Sequence, residues 1–81
     1  MLQPNIKSVT PMEQFKLYIE YENGEKRIFD VNPYLKLPFY RPLNDISVFN
    51  TVHVVDNGWT VEWCNGRDIS PYELYENSYP E

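Results

Sequence analysis

Three asparagine–glycine pairs punctuate this chain: Asn23-Gly24, Asn57-Gly58 and Asn65-Gly66. A two-residue type I′ hairpin turn needs positive φ at both central residues, and asparagine followed by glycine reaches that conformation at the lowest steric cost. The segment before the first pair, FKLYIEY over residues 15–21, has apolar side chains at every second position. That period is typical of a strand with one buried face. The sequence therefore predicts a series of antiparallel hairpins.

A two-residue loop at Asn23-Gly24 would fix how its two strands face each other. It predicts Ile19 opposite Ile28 in the core and Glu20 opposite Arg27 on the outer face. An exposed cross-strand pair of this kind stabilises a sheet by about 0.2–1 kcal/mol.

The same reasoning at Asn57-Gly58 predicts four opposed pairs: Val54 with Val61, Val52 with Trp63, His53 with Glu62, and Thr51 with Cys64. The first two pairs belong to the core side, and the other two lie on the outer face. Because a slip of one residue would exchange the two faces, burial of the apolar set should hold this register. After Asn65-Gly66, the short segment 67–69 either pairs back briefly or leads straight into a helix.

Helix signals are clearest near the C-terminal end, in DISPYEL over residues 68–74. Ser70 is a suitable N-cap with a proline at the first helical position, and Glu73 completes a capping box with it. Ile69 and Leu74 flank this start as a hydrophobic staple. We expect a helix to begin here.

Two shorter helices are predicted between the hairpins. Asn32 stands at an N-cap position before Pro33, and Pro38 ends this helix after about a turn and a half. Ile46 and Phe49 lie three residues apart in the second segment and so share one side. Both helices should pack on the sheet as connectors.

Together these signals predict an α+β fold. It consists of a small, mainly antiparallel β-sheet of about five strands built from hairpins, with short connecting helices and a C-terminal helix. The segment 6–10, IKSVT, is a weaker first strand. Residues 1–81 are expected to form one domain, since a chain of 81 residues has room for a single core. Residues 78–81 are expected to be a mobile tail.

The composition argues against several classes of function. The formal net charge is -5, and the seven lysines and arginines are dispersed along the chain. No basic face is then available to neutralise phosphates, so we expect no direct binding of nucleic acid. Charges and prolines interrupt every apolar run well short of the roughly 20 residues of a membrane span. A single cysteine, and an N-terminus unlike a signal peptide, predict a cytoplasmic protein without membrane contact.

Cys64, His53 and Glu62 are the only residues that resemble a catalytic triad. A thiolate nucleophile would still need an oxyanion site and a pocket that excludes water. The simpler interpretation is that His53 and Glu62 form an exposed cross-strand pair and that Cys64 is a small packed residue. One histidine and one cysteine cannot supply the four ligands of a structural zinc site. We therefore expect no catalytic residue, no metal and no cofactor.

Aromatic residues are numerous for so small a core: seven tyrosines, two tryptophans and four phenylalanines. Some can cap the core with their hydroxyls in water, whereas others suit a protein interface, where tyrosine and tryptophan are favoured. We assign a candidate interaction surface to the last helix and the strand before it: Trp63, Asn65, Asp68, Tyr72 and Tyr75. Asn65 and Asp68 have an alternative role, because such residues near a turn often satisfy local backbone groups.

A series of residues in fixed order supports a family assignment. It comprises Glu22-Asn23-Gly24, Phe29-Asp30, Phe39, Leu43, Phe49, Trp63, Asn65-Gly66, Asp68-Ile69 and Leu74-Tyr75. With this order and spacing, over nearly its whole length, the chain resembles the small bacterial family known as domain of unknown function 2442. The resemblance implies a small α+β domain with a mainly antiparallel sheet, and no known activity. The chain departs from the family at Cys64, where the family tends to have proline, which cannot act as a nucleophile.

We therefore expect a non-enzymatic module that binds another small protein or a second copy of itself. The resemblance also implies an alternative, since some members look like part of DNA-binding proteins and others lie beside a small protein as in a toxin–antitoxin pair. In that case the chain would be a regulatory component that acts through a partner or through a separately encoded DNA-binding part.

Overall fold

The computed structural model describes residues 3–81. The strands and α-helices of this part of the chain are β1 (Ile6–Met12), β2 (Lys16–Tyr21), β3 (Lys26–Asp30), α1 (Ile46–Phe49), β4 (His53–Val55), β5 (Thr60–Glu62), α2 (Pro71–Glu76) and β6 (Tyr79–Pro80). Single turns of 3₁₀ helix connect them at Asn32–Tyr34 and Arg41–Asn44, and a left-handed turn occupies Asp56–Gly58. The predicted α+β class is confirmed. Within residues 3–81 no helix has the length and apolar character needed to cross a membrane.

The strands form two antiparallel sheets. One has four strands in the order β1-β2-β3-β6, and the other consists of β4 and β5. β1 also packs against β4 and the turn that follows it, so the small sheet lies beside the edge of the large one. The predicted first strand is confirmed and extends through Pro11 to Met12.

The core lies between one face of the large sheet, the small sheet and the short helices. Every second residue of β2 is buried in it, as the alternation predicts. The largest side chains that are fully buried are Trp63, Tyr21, Phe29, Phe49, Leu17, Ile19, Leu43, Leu74, Val31 and Val61.

The register predicted around Asn23-Gly24 is wrong by one residue. β2 and β3 pair Ile19 with Arg27 and not with Ile28, which lies on the outer face opposite Tyr18. The loop holds three residues rather than two, and this shifts every pair along the hairpin.

Hydrogen bonds explain the longer loop. The amide of Gly24 donates to the oxygen of Tyr21 at 3.0 Å, and the amide of Tyr21 donates to the oxygen of Glu25 at 2.9 Å. This is a type I turn closed by a glycine bulge. Within the loop only the glycine is left-handed, with φ at 91°. The Oδ1 of Asn23 accepts from the amide of Glu25 at 3.0 Å, which fixes the asparagine in the right-handed conformation.

The register predicted around Asn57-Gly58 is confirmed for the strand pairs that form, which include Val54 with Val61 and His53 with Glu62. The strand pairing does not extend to the predicted pairs Val52–Trp63 and Thr51–Cys64.

The loop of this hairpin is longer than predicted, because the pairing ends at Val55 and Thr60 and leaves four residues between them. Asp56 (φ 54°), Asn57 (φ 58°, ψ 36°) and Gly58 (φ 93°) are all left-handed. The amide of Trp59 donates to the oxygens of Val55 at 3.1 Å and Asp56 at 3.2 Å. The Asn57-Gly58 pair at its centre keeps the left-handed conformation that type I′ turns require.

Gly58 also allows this turn to pack against β1. A Cβ atom at this position would lie 2.6 Å from the backbone oxygen of Ile6. Any side chain would therefore clash with backbone, in addition to the strain of a positive φ.

The loop at Asn65-Gly66 has the same geometry as the first loop. The amide of Gly66 donates to the oxygen of Trp63 at 2.9 Å, and the amide of Trp63 donates to the oxygen of Arg67 at 2.8 Å. Asn65 Oδ1 accepts from the amide of Arg67 at 3.1 Å, and only the glycine is left-handed. Of the two alternatives for the segment that follows, the chain pairs back briefly, through one isolated bridge.

Both helices predicted between the hairpins are present in altered form. Asn32 is not an N-cap. It is the first residue of a single 3₁₀ turn, and its side-chain amide donates to the oxygen of Gln14 at 2.6 Å. In α1, Phe49 is buried but Ile46 is exposed. Ile46 therefore does not join Phe49 in packing on the core, and Val48, which is half-buried, is the second residue of α1 that contacts it.

α2 begins after Ser70 as predicted, but the predicted capping box is wrong. The side chain of Ser70 makes no capping hydrogen bond. The Glu73 carboxylate instead accepts from the Tyr34 hydroxyl at 2.6 Å, so a tertiary hydrogen bond replaces the local one. Ile69 and Leu74 are both buried, as a hydrophobic staple requires.

The segment after α2 returns to the large sheet. Ser78 is buried, and Tyr79–Pro80 pair with β3. Arg27 holds this segment, because its Nε donates to Ser78 Oγ at 2.6 Å and its Nη2 donates to the oxygen of Ser78 at 2.8 Å. The mobility of residues 78–81 stays a prediction, which hydrogen exchange of these amides can measure.

Candidate interaction surface

Trp63, the first residue of the predicted interaction surface, lies in the core. Its side chain is 1% exposed, and its indole Nε1 donates to the oxygen of Phe49 at 3.0 Å. A buried indole N–H needs such an acceptor. Trp63 therefore presents no ring to the surface, and its role in this fold is packing.

Tyr75 belongs to a cluster with Glu25 and Arg27. Its hydroxyl donates to Glu25 Oε2 at 2.6 Å, and the Arg27 guanidinium lies 4.8 Å from the centre of its ring. This hydrogen bond holds the pKa of Glu25 below its usual range and raises the pKa of Tyr75. The cluster joins α2 to the hairpin of β2 and β3.

Asn65 and Asp68 both contribute to the turn between β5 and α2. Asn65 accepts a hydrogen bond within its loop, and the backbone oxygen of Asp68 accepts from the Tyr40 hydroxyl at 2.9 Å. The Asp68 side chain itself is exposed. Tyr72, at 63% exposure, is the most exposed aromatic residue of the predicted set. Asp68 and Tyr72 are thus the members whose side chains face solvent.

Phe39 is an exposed aromatic residue that was not assigned to the surface from sequence. It lies with Leu37 in the loop before the second 3₁₀ turn, and the two side chains are 51% and 46% exposed. Arg67 Nε donates to the backbone oxygen of Phe39 at 2.7 Å, and the guanidinium lies 5.3 Å from the centre of the ring. The Phe39 ring is therefore exposed and also held in place.

The Phe39 ring is the outer end of a series of aromatic contacts that begins in the core. Ring centres lie 5.4 Å apart for Phe29 and Tyr34, 5.6 Å for Tyr34 and Tyr40, and 4.8 Å for Tyr40 and Phe39. Such pairs contribute about 0.5–1.5 kcal/mol each beyond burial of area. Burial, and then the Glu73 carboxylate, raise the pKa values of Tyr34 and Tyr40. Both hydroxyls therefore stay protonated and donate hydrogen bonds.

We define the Phe39 surface by four residues: Leu37, Phe39, Arg67 and Asp68. It combines two exposed apolar side chains with one cation and one anion. Of these, only Asp68 was predicted. For Leu37 and Phe39 the signal was the apolar run around Pro38, since a segment so rich in proline forms neither a strand nor a long helix that would bury it. No sequence signal points to Arg67.

His53, Glu62 and Cys64 lie on the β4–β5 hairpin as predicted. His53 Nε2 and Glu62 Oε1 are 3.6 Å apart, and both side chains are partly exposed to water. Cys64 is exposed, which corrects the expectation of a packed cysteine, because the residue occupies the second position of a tight turn. No pocket is found on the surface formed by residues 3–81. In the same residues no group of three or more His, Cys, Asp and Glu side chains is arranged to hold a metal ion.

Comparison with family models assigns the chain to a family whose function is not known. The model described as Protein of unknown function (DUF2442) matches residues 6–80. The chain belongs to this family. The match spans all the strands and helices described above, and the family description carries no activity. Neither the curated proteins nor the solved structures that were compared with the chain include a match.

The geometry of its turn shows what the backbone at Cys64 requires. Cys64 follows the first residue of a type I turn that Gly66 closes. Proline is favoured at that position, because its fixed φ suits the turn. A proline at position 64, which the family resemblance implies, would suit this φ but would lose the hydrogen bond that the Cys64 amide donates to Thr51 Oγ1 at 3.0 Å.

Proposed function

We propose that this DUF2442 protein is a non-enzymatic interaction module that binds a partner protein through the Phe39 surface. The observation that carries the proposal is the half-exposed Phe39 ring, which Arg67 and Tyr40 hold in place. An anchor that is already ordered loses little entropy on binding. Exposed apolar side chains bordered by charges are typical of docking sites on monomeric proteins.

The chemistry of the Phe39 surface indicates the partner. Leu37 and Phe39 suit an apolar pocket, while Arg67 and Asp68 offer a cation and an anion at its border. Because the whole chain carries a formal charge of -5, a basic partner would approach it faster than an acidic one. We therefore propose a basic protein with an apolar cleft.

Catalysis is not part of this proposal. Cys64 lies on a turn in contact with water, and the nearest acid–base pair, His53 and Glu62, is also exposed. Nucleophilic catalysis benefits from a site that excludes water and presents donors to an oxyanion. A single exposed thiol supports a reducing compartment, which we propose to be the cytoplasm.

Photo-cross-linking in the native host tests the proposed surface. A photoreactive phenylalanine analogue at Leu37 should give one discrete protein adduct. The same analogue at Trp59, which is 48% exposed on the turn between β4 and β5, is the matched control and should not give that adduct. Phe39→Ala should remove most of the adduct at position 37, since truncating a binding anchor costs at least about 2 kcal/mol, or roughly thirtyfold in affinity.

Two results would contradict the proposed surface. One is the absence of any adduct from Leu37. The other is an identical set of adducts from Leu37 and Trp59, which would indicate unspecific contact. Thermal unfolding of Phe39→Ala serves as the control for folding: loss of the ring contact with Tyr40 should lower stability by about 0.5–1.5 kcal/mol and leave the protein folded at the assay temperature.

The identity of the adduct also tests the regulatory alternative. A chain with charge -5 and dispersed basic residues would influence DNA only through a partner. Co-expression with the product of the adjacent reading frame should yield a stable complex in that case. Recovery of both proteins unbound would remove the toxin–antitoxin alternative and leave the interaction module in place.

A further inference from the structure

The outer face of the large sheet carries a row of four side chains, one from each strand. Thr10, Tyr18, Ile28 and Tyr79 stand side by side across β1, β2, β3 and β6. They point away from the core, because the residues that alternate with them in β2 and β3 include the buried ones. Tyr18 and Ile28 are half-buried, Tyr79 is exposed, and none of these three packs against the core cluster of residues 3–81.

Four charged residues flank this row in an alternating square. Lys16 lies opposite Asp30 on one side of the row, and Glu20 lies opposite Lys26 on the other. The sign of the charge therefore changes both along each strand and between the strands. Glu20 contacts Lys7 at 3.8 Å, whereas the ion pairs of residues 3–81 include neither Lys16 nor Lys26. We define the row and the square together as the outer sheet face.

A square of this kind is complementary to itself. If two copies face each other across a two-fold axis that lies between them, each lysine meets a carboxylate of the other copy. With the axis across the strands, Lys16 meets Glu20 of the second copy. With the axis along the strands, it meets Asp30 of the second copy. In both arrangements the apolar rows lie against each other, and we infer that the outer sheet face binds a second copy of the chain.

The size of the face limits the strength of this dimer. Four strands span about 14 Å, and the distance along β2 from Lys16 to Glu20 is about 13 Å. Such a patch buries less than the roughly 800 Å² per partner of a stable interface. The dimer is therefore concentration-dependent. It shares no residue with the Phe39 surface, so a dimer can still bind the proposed partner.

Sedimentation equilibrium of the full chain up to about 1 mM tests this inference, since a weak dimer is populated in that range. Lys16→Glu introduces a repulsive pair twice in each dimer and should raise the dissociation constant at least about tenfold. Lys36→Glu is the matched control, because it causes the same change in net charge, from -5 to -7, away from the sheet. It should leave dimerisation nearly unchanged.

Double variants identify the axis. Lys16→Glu combined with Glu20→Lys restores attraction if the axis runs across the strands, and Lys16→Glu combined with Asp30→Lys restores it if the axis runs along them. A monomer at about 1 mM overturns the inference. So does an equal effect of Lys16→Glu and Lys36→Glu, or a failure of both double variants to recover the dimer. If circular dichroism shows that the Lys16→Glu variant is unfolded, the Lys26→Glu variant takes its place in the sedimentation experiment.

The outcome is separable from that of the proposed function. The cross-link from Leu37 should survive Lys16→Glu, because the Phe39 surface lies elsewhere. Conversely, Phe39→Ala should lose the cross-link and keep the dimer.

Discussion

Replacing Tyr21 by phenylalanine should stabilise the protein. The Tyr21 ring is 1% exposed, and its hydroxyl is the one buried side-chain polar atom that finds no hydrogen-bond partner in the described part of the chain. Burial raises the pKa of this hydroxyl, so it remains neutral and protonated. Phenylalanine keeps the buried ring and its edge-to-face contact with Tyr75, whose centre lies 5.2 Å away.

The expected gain follows from the cost of burying an unpaired hydroxyl, about 1–3 kcal/mol. Part of this gain will be lost to the small void that the missing oxygen leaves. We expect a net increase in the free energy of unfolding of about 1 kcal/mol, which raises Tm by about 4–8 °C in a domain of this size. Urea unfolding followed by tryptophan fluorescence, together with calorimetry, measures both quantities.

Tyr75→Phe is the matched control for Tyr21→Phe. It removes a hydroxyl that donates to Glu25 at 2.6 Å in a partly buried site, and should cost about 1 kcal/mol. The two variants lose the same atom and should shift Tm in opposite directions. If Tyr21→Phe destabilises the protein as much as Tyr75→Phe does, the Tyr21 hydroxyl is hydrogen-bonded in solution and the reasoning fails.

Three further predictions concern single positions. Gly58→Ala should cost more than about 2 kcal/mol of stability, because it adds a backbone clash at 2.6 Å to a left-handed strain of about 1–2 kcal/mol. Its control is Gly24→Ala, which is also left-handed but lies in open space and should cost only the strain. Equal urea midpoints for the two variants would refute this prediction. The lowered pKa of Glu25 contributes stability that is present above its unfolded pKa of about 4.3 and is lost as the pH falls through the folded pKa. The stabilities of wild type and Tyr75→Phe should therefore converge as the pH falls below about 4.3, and a constant gap would contradict this assignment. Cys64 should react with a thiol reagent about as fast in the native protein as in urea. Cys64→Ser should change the free energy of unfolding by less than about 0.5 kcal/mol. A much slower reaction of the thiol in the native protein would mean that it is buried.

The two hairpin registers show what the sequence could and could not predict. Around Asn57-Gly58 a slip of one residue would turn Val54 or Val61 away from the core, so side-chain burial decided against it. Around Asn23-Gly24 the choice depended on whether asparagine is left-handed. That conformation is set by a hydrogen bond of its own side chain, which a residue pattern does not reveal.

The interaction surface was less predictable than the fold. The register that places Trp63 beside Val52 already assigns it to the core side, and the structure confirms that burial. Phe39, by contrast, lies in a loop without periodicity, and the contacts that hold it come from Arg67, 28 residues away along the chain. Periodicity reports which face of a strand or helix is buried, but it does not report which loops meet.

The repeated turn gives this small protein two equivalent attachment points. Glu22 and Cys64 occupy the same place in loops of the same geometry, and both side chains are exposed. A dye on the native thiol and a second dye on Glu22→Cys would report, by resonance energy transfer, how far apart the two loops lie. The distance between the dyes would then show, in single molecules, whether the two sheets form together or one after the other. The labels change no residue of the core.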